Sequence, residues 1–177
     1  MPTAPLKSAA VVCTAAGIAL SPFASPASAS AHREPPFIRV EGPSQVYDAA
    51  YARAKTVVLV NYGLRNTVID LVVSEFPREA VNRRLGVHVH SRRCGANPDD
   101  SGPHYTRPGA AASVRPRNKE VWLDIRVRPG GLGRTQTVVP WRVGKAARSI
   151  VIHAKRTNQR TGDAGRRLVC TNVPFGR

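Results

Sequence analysis

Val121, Leu123, Ile125 and Val127 alternate with Trp122, Asp124, Arg126 and Arg128. A period of two predicts a strand with its apolar face on a core and the other face half solvated. Shorter runs, most of them rich in β-branched residues, recur at 37–40, 56–60, 67–74, 86–90, 136–141, 149–153 and 167–173, and each predicts a further strand. The run 46–54 is mixed and reads as a strand or one helical turn. Asn61-Tyr62-Gly63 predicts a turn, Pro77 closes the strand before it, and 78–85 reads as loop. Pro129-Gly130-Gly131 ends the alternating run, and this short Gly-rich connection predicts that 136–141 pairs back with it as a hairpin. No stretch offers a long amphipathic helix. Seven or eight short strands with Gly/Pro turns predict an all-β antiparallel sandwich or flattened barrel. There is no internal repeat, P-loop or dinucleotide fingerprint.

The chain has 177 residues, a length that fits one domain. Its start reads as a leader. Lys7 precedes a small, apolar stretch at 8–20, and SPFASPASASA offers signal-peptidase cuts after Ala29 or Ala31. The apolar run is too short to span a bilayer. The expected organisation is a secretory signal peptide at 1–31, an N-terminal segment at 32–55 and the folded domain at 56–177, with a secreted product and no transmembrane segment. Cys13 lies in the leader behind Val12, where a lipoprotein cut needs a small residue, so no lipid anchor is expected. The formal charge of +16 is carried largely by scattered arginines. It predicts non-specific attraction to anionic cell-envelope polymer or DNA and names no specific nucleic acid; a base-composition habit of the genome accounts for the arginines equally well.

The candidate chemistry is concentrated in GVHVHSRRCGANPDDSGPH, residues 86–104. His88 and His90 are two apart on a predicted strand, so both imidazoles leave the same face. His104 follows in the same long Gly/Pro-rich loop, and His153 ends the strand SIVIH. A loop of this length is uncommon unless it has a function. Four imidazoles with no cysteine or carboxylate near them suit copper, with zinc as the common competitor. Without the leader only Cys94 and Cys170 remain, and in an oxidising compartment they have one possible pairing. That bond closes a loop of about 75 residues, for which the chain-entropy estimate is about 4 to 5 kcal/mol. Arg167, three residues before Cys170, is either a fixed positive charge near the metal or one more solvated arginine. His32, close behind the predicted cut, is a subsidiary candidate copper ligand.

Four segments in order, GVHVHSRRCG, GPHYTRPG, RSIVIHA and TGDAGRRLVC, resemble the characteristic segments of the copper/zinc superoxide dismutase family, over roughly residues 56–173. The resemblance implies an eight-stranded Greek-key β-barrel or sandwich. It implies copper held by His88, His90, His104 and His153, the disulfide Cys94–Cys170, and Arg167 and His104 as catalytic residues, Arg167 guiding the anion. The implied substrate is superoxide, disproportionated to dioxygen and hydrogen peroxide outside the cytoplasm. In the family the ligand resembling His104 also bridges to zinc, whose site needs two more histidines and an aspartate. No histidine lies between His104 and His153, and Asp124 falls inside the alternating strand. The resemblance is therefore to the copper-only branch, with zinc not expected. The loop between His153 and Gly162 is short, so the family's longer guide loop is largely missing and a more open copper site is expected. The alternatives are a secreted copper-binding protein with little or no dismutase activity, or a structural, polyanion-binding domain.

Overall fold

A computed structural model describes Met1 and residues 37–176. The predicted leader, with Lys7 and Cys13, and the candidate ligand His32 lie outside the described residues. Among those described, no helix is long and apolar enough to cross a membrane. The described residues are all-β, with ten strands: β1 Phe37–Gly42, β2 Gln45–Val46, β3 Lys55–Tyr62, β4 Thr67–Ser74, β5 Arg84–Leu85, β6 Val87–His90, β7 Ile125–Arg126, β8 Gly133–Val139, β9 Ser149–His153 and β10 Arg167–Asn172. The only α-helix among the described residues is the four-residue turn Pro116–Lys119. All pairing between strands is antiparallel. It gives one sheet in the order β1-β3-β4-β8, a second in the order β2-β10-β9-β6, and a two-stranded sheet β5-β7.

The first sheet follows the period-two expectation. In β3 Val58 and Val60 are fully buried, and Val57, Leu59 and Asn61 on the other phase are partly covered. Ile69, Leu71 and Val73 of β4 join them in the core. From the second sheet Val87, Val89, Ile150, Ile152, Leu168 and Val169 meet the same core, so the two four-stranded sheets pack as a sandwich. A hydrogen bond of 2.7 Å between the Thr56 and Thr171 hydroxyls ties β3 to β10 in the buried interior. Strand β3 runs two residues past the expected stop. Tyr62 falls on the inward phase of the alternation and is buried, and the turn closes one residue later, with the Gly63 amide donating to the Asn66 carbonyl.

The second sheet breaks the alternation for a reason that positions the candidate site. Every residue of β6 and of β9 is buried. Val87, Val89, Ile150 and Ile152 face the core, and opposite them His88 pairs with Val151 and His90 with Ser149 on the sheet's other face. That outer face is covered by loop instead of water. A bulge between Arg167 and Val169 lets Leu168 and Val169 both enter the core while Arg167 and Cys170 stand opposite His153 and Val151 on the outer face.

Two sequence expectations need correction. The segment at 136–141 does not form a ladder with the alternating run. Strand β8 pairs along its whole length with β4, and the alternating run keeps its burial pattern but forms a regular strand only at β7, paired with β5. Gly130 and Gly131, with φ of 83° and 69°, turn the chain so that only Arg128 and Leu132 bridge. Beyond that turn the two segments are joined by a side chain, the Thr137 hydroxyl donating to the Trp122 carbonyl at 2.7 Å. Second, 78–85 is not all loop, since Arg84–Leu85 supply β5.

Leu71, fully buried at the centre of β4, is expected to cost about 2–5 kcal/mol on replacement by alanine. Val138→Ala, on the exposed face of β8, is expected to stay within about 0.5 kcal/mol. Urea denaturation of the two variants checks the assignment of faces, and equal losses would refute it.

Candidate metal centre

Three segments bring the histidines together. Strand β6 supplies His88 and His90 from one face, and its antiparallel neighbour β9 ends in His153. The third is the loop after β6, which folds back along it: Ser91 donates to the Pro103 carbonyl, Tyr105 donates to the Val89 carbonyl, and His90 bridges to His104. The ligand atoms of His88, His90, His104 and His153 all lie within 4.8 Å of one another. His88 and His90 are wholly buried, His153 nearly so, and His104 is the most open, its side chain 19% exposed.

Each ring is held from behind. The Nδ1–H of His90 donates to the Gly102 carbonyl at 2.9 Å, and that of His153 donates to the Gly165 carbonyl at 2.9 Å. His104 donates from Nδ1 to Glu120 Oε2, also at 2.9 Å. His88 is reversed: its Nε2–H donates to the Thr157 hydroxyl at 2.9 Å, which itself donates to Asp124 Oδ1 at 2.6 Å. An acceptor on one ring nitrogen fixes the tautomer and leaves the other nitrogen as a bare lone pair. Those bare atoms are Nδ1 of His88 and Nε2 of the other three. They point at one another, His88 Nδ1 to His104 Nε2 at 3.0 Å and His90 Nε2 to His153 Nε2 at 3.3 Å.

Facing lone pairs need a cation between them, and on His88, His90 and His153 a proton is a poor candidate. Burial, reinforced by the neighbouring rings, holds His88 far below the ordinary imidazole range. Burial likewise pushes His90 down to about 2 and His153 to about 4, against the opposing pull of their backbone carbonyl acceptors. A neutral, all-nitrogen, converging donor set fits a borderline transition-metal ion of the copper or zinc kind.

Carboxylates are present after all, behind the rings and not among them. Burial works against the charge on Glu120, but the hydrogen bonds from His104 and from the Trp122 indole, at 2.7 Å, outweigh it and hold the carboxyl below its usual range. Asp124 reaches His88 through Thr157 and also accepts from the Val87 amide. Sequence reasoning placed Asp124 inside the alternating strand and away from any metal, and it missed Glu120, Trp122 and Thr157. A signal existed: the three sit at i, i+2 and i+4 on one face of the alternating run, and Trp122 bridges directly to His88.

Cys94 and Cys170 are bonded, tying the loop that bears His104 to β10. Arg167 reinforces the tie. Its guanidinium donates to the Pro98 carbonyl at 2.6 Å, the Ser101 hydroxyl at 2.8 Å and the Gly102 carbonyl at 2.9 Å. The Gly102 oxygen is the one that also accepts from His90, so the arginine stands one carbonyl from a candidate ligand. Arg167 is therefore not an ordinary solvated arginine, and its side chain is 18% exposed.

No protein-family model matches the chain, and no curated protein matches it.

Two outcomes follow from this geometry. Glu120→Ala is expected to weaken Cu(II) binding by about 10- to 100-fold in calorimetric or competition titration, because His104 loses the group that orients it; unchanged affinity would mean that the carboxylate is a bystander. The metal-free chain is expected to lose stability as the pH falls below about 6.5, where unfolded imidazoles take up protons that the buried ones refuse. For His153 the window runs from about 6.5 to about 4, and between pH 7.5 and 5 this ring alone accounts for a loss of about 2 kcal/mol. A urea midpoint that does not move over that interval would contradict buried neutral rings.

Proposed function

We propose that the chain is a copper-dependent superoxide dismutase acting outside the cytoplasm, without a companion zinc ion. The observation that carries the proposal is the set of four bare imidazole nitrogens, each left so by a hydrogen bond on the opposite side of its ring. His88, His90, His104 and His153 would hold the metal. Copper bound there would supply one-electron redox chemistry, accepting an electron from one superoxide and returning it to the next. In this reading the two four-stranded sheets are the halves of an eight-stranded Greek-key barrel. The Cys94–Cys170 bond supports export, since such bonds persist in oxidising compartments. Among the described residues the four histidines form the one cluster of metal-ligating side chains.

The chain's own residues have distinct tasks. Arg167, fixed by the loop carbonyls, sets a positive charge beside His90 and His153 that favours arrival of a small anion. His104 is the ring most open to solvent, so it would be the ligand beside which a proton from solvent reaches the peroxide product, while its Nδ1–H stays donated to Glu120. The other three rings are buried, rigid holders.

The test is metal content and superoxide consumption on one preparation of oxidised mature protein, reconstituted with copper alone and with copper plus zinc. One copper per chain, no stoichiometric zinc and turnover lost on chelation are expected. Copper without turnover would replace the proposal with that of a copper-binding protein. His88→Ala and His153→Ala are each expected to abolish turnover and weaken copper binding together, and full activity in either would remove the site. Arg167→Ala is expected to lower the rate at low salt with copper content intact; metal lost along with rate would mean that the guanidinium acts only by holding the loop.

A further inference from the structure

Behind the metal centre, on the side of Glu120 and Asp124, lies a cleft of about 960 Å³, in the size range of small-ligand sites. Four arginines line it: Arg84, Arg117, Arg126 and Arg156, all exposed. None has an Asp or Glu within ion-pair reach among the described residues, whereas the carboxylates in the same wall are already engaged, Glu120 by His104 and Trp122, Asp124 by Thr157 and the Val87 amide.

The arrangement of two of these arginines is unfavourable in itself. Strands β5 and β7 make a sheet of only two residues each, and its register sets Arg84 directly opposite Arg126. Directly opposed residues of an antiparallel pair share a face, and like charges there are destabilising. Among the described residues nothing of opposite charge lies within ion-pair reach of this pair. Arg117 is braced by the Gln159 side-chain carbonyl at 2.9 Å, which leaves the rest of its fork available, and the Trp122 and Trp141 side chains add apolar wall.

We propose that this cleft is a binding site for a small oligoanion carrying phosphate groups, with the opposed guanidiniums of Arg84 and Arg126 gripping one group and Arg117 and Arg156 a second. Guanidinium forks match the oxygens of phosphate in charge and in bidentate geometry. A bound anion would also cancel the repulsion across β5 and β7. The cleft contains none of the four histidines, though it shares Glu120, Trp122 and Asp124 with the groups behind them, and the proposal does not depend on which metal that cluster holds.

The test uses the full mature chain with its metal, fructose 1,6-bisphosphate and inorganic phosphate as probes, and bound metal measured before and after. Saturable binding of one bisphosphate per chain is expected, tighter than inorganic phosphate and accompanied by a rise in Tm. Arg84→Gln/Arg126→Gln should weaken it by about tenfold or more and should not lower the ligand-free Tm. Arg117→Gln/Arg156→Gln provides a second reading should the first pair misfold. Arg65→Gln/Arg78→Gln removes the same charge from exposed positions outside the cleft and should change affinity by less than about twofold, as diffuse screening would. Equal weakening in the cleft and control variants would overturn the proposal, as would the absence of saturable binding. Binding confined to long DNA, with steep salt dependence, would overturn it in favour of a diffuse polyanion surface.

Discussion

Each of the four imidazoles has one nitrogen committed to a fixed acceptor, and the candidate centre depends on that commitment more than on the presence of histidine. A free imidazole chooses its tautomer; here the choice is made by Gly102, Gly165, Glu120 and Thr157. Burial then makes protonating the remaining nitrogen of His88, His90 and His153 unfavourable, and the four converging nitrogens lie at contact distance with no other partner among the described residues. A site of this kind is preorganised for a cation. The reversed attachment of His88, through Nδ1 where the others offer Nε2, follows from the position of Thr157 and Asp124 behind it.

The fold supplies those acceptors by covering the outer face of the β2-β10-β9-β6 sheet. That face would ordinarily be the solvated side of a sandwich. Here it carries His88, His90, His153, Arg167 and Cys170, and the loop after β6 lies over it. The disulfide fixes that loop to β10, and Arg167 fixes it again through three hydrogen bonds, one to the same carbonyl that orients His90. Loop closure, ligand orientation and the positive charge near the centre are thus coupled at Gly102.

Much of this was legible in the sequence because period-two alternation and histidine spacing are local signals. The strands at 67–74 and 149–153 and the same-face placement of His88 and His90 follow directly from it. The partner of β8 was not legible: two glycines and a short connection favour a hairpin locally, but whether the ladder forms with the preceding run or with β4 is settled by non-local packing. The polar face of the alternating run misled for a related reason. Alternation says that Glu120, Trp122 and Asp124 face away from Val121 and Leu123, and it cannot say whether water or four histidines cover that side. Their proximity to the rings arises from the bridge between Trp122 and His88, a contact spanning most of the long loop.

The measurement that tests the central claim most directly is continuous-wave and pulsed electron paramagnetic resonance of the chain loaded with one equivalent of Cu(II). The account predicts a single species with nitrogen hyperfine structure from several imidazoles, altered in His88→Ala and in His153→Ala alike. A spectrum with oxygen-dominated ligation, or one unchanged when these histidines are removed, would contradict it.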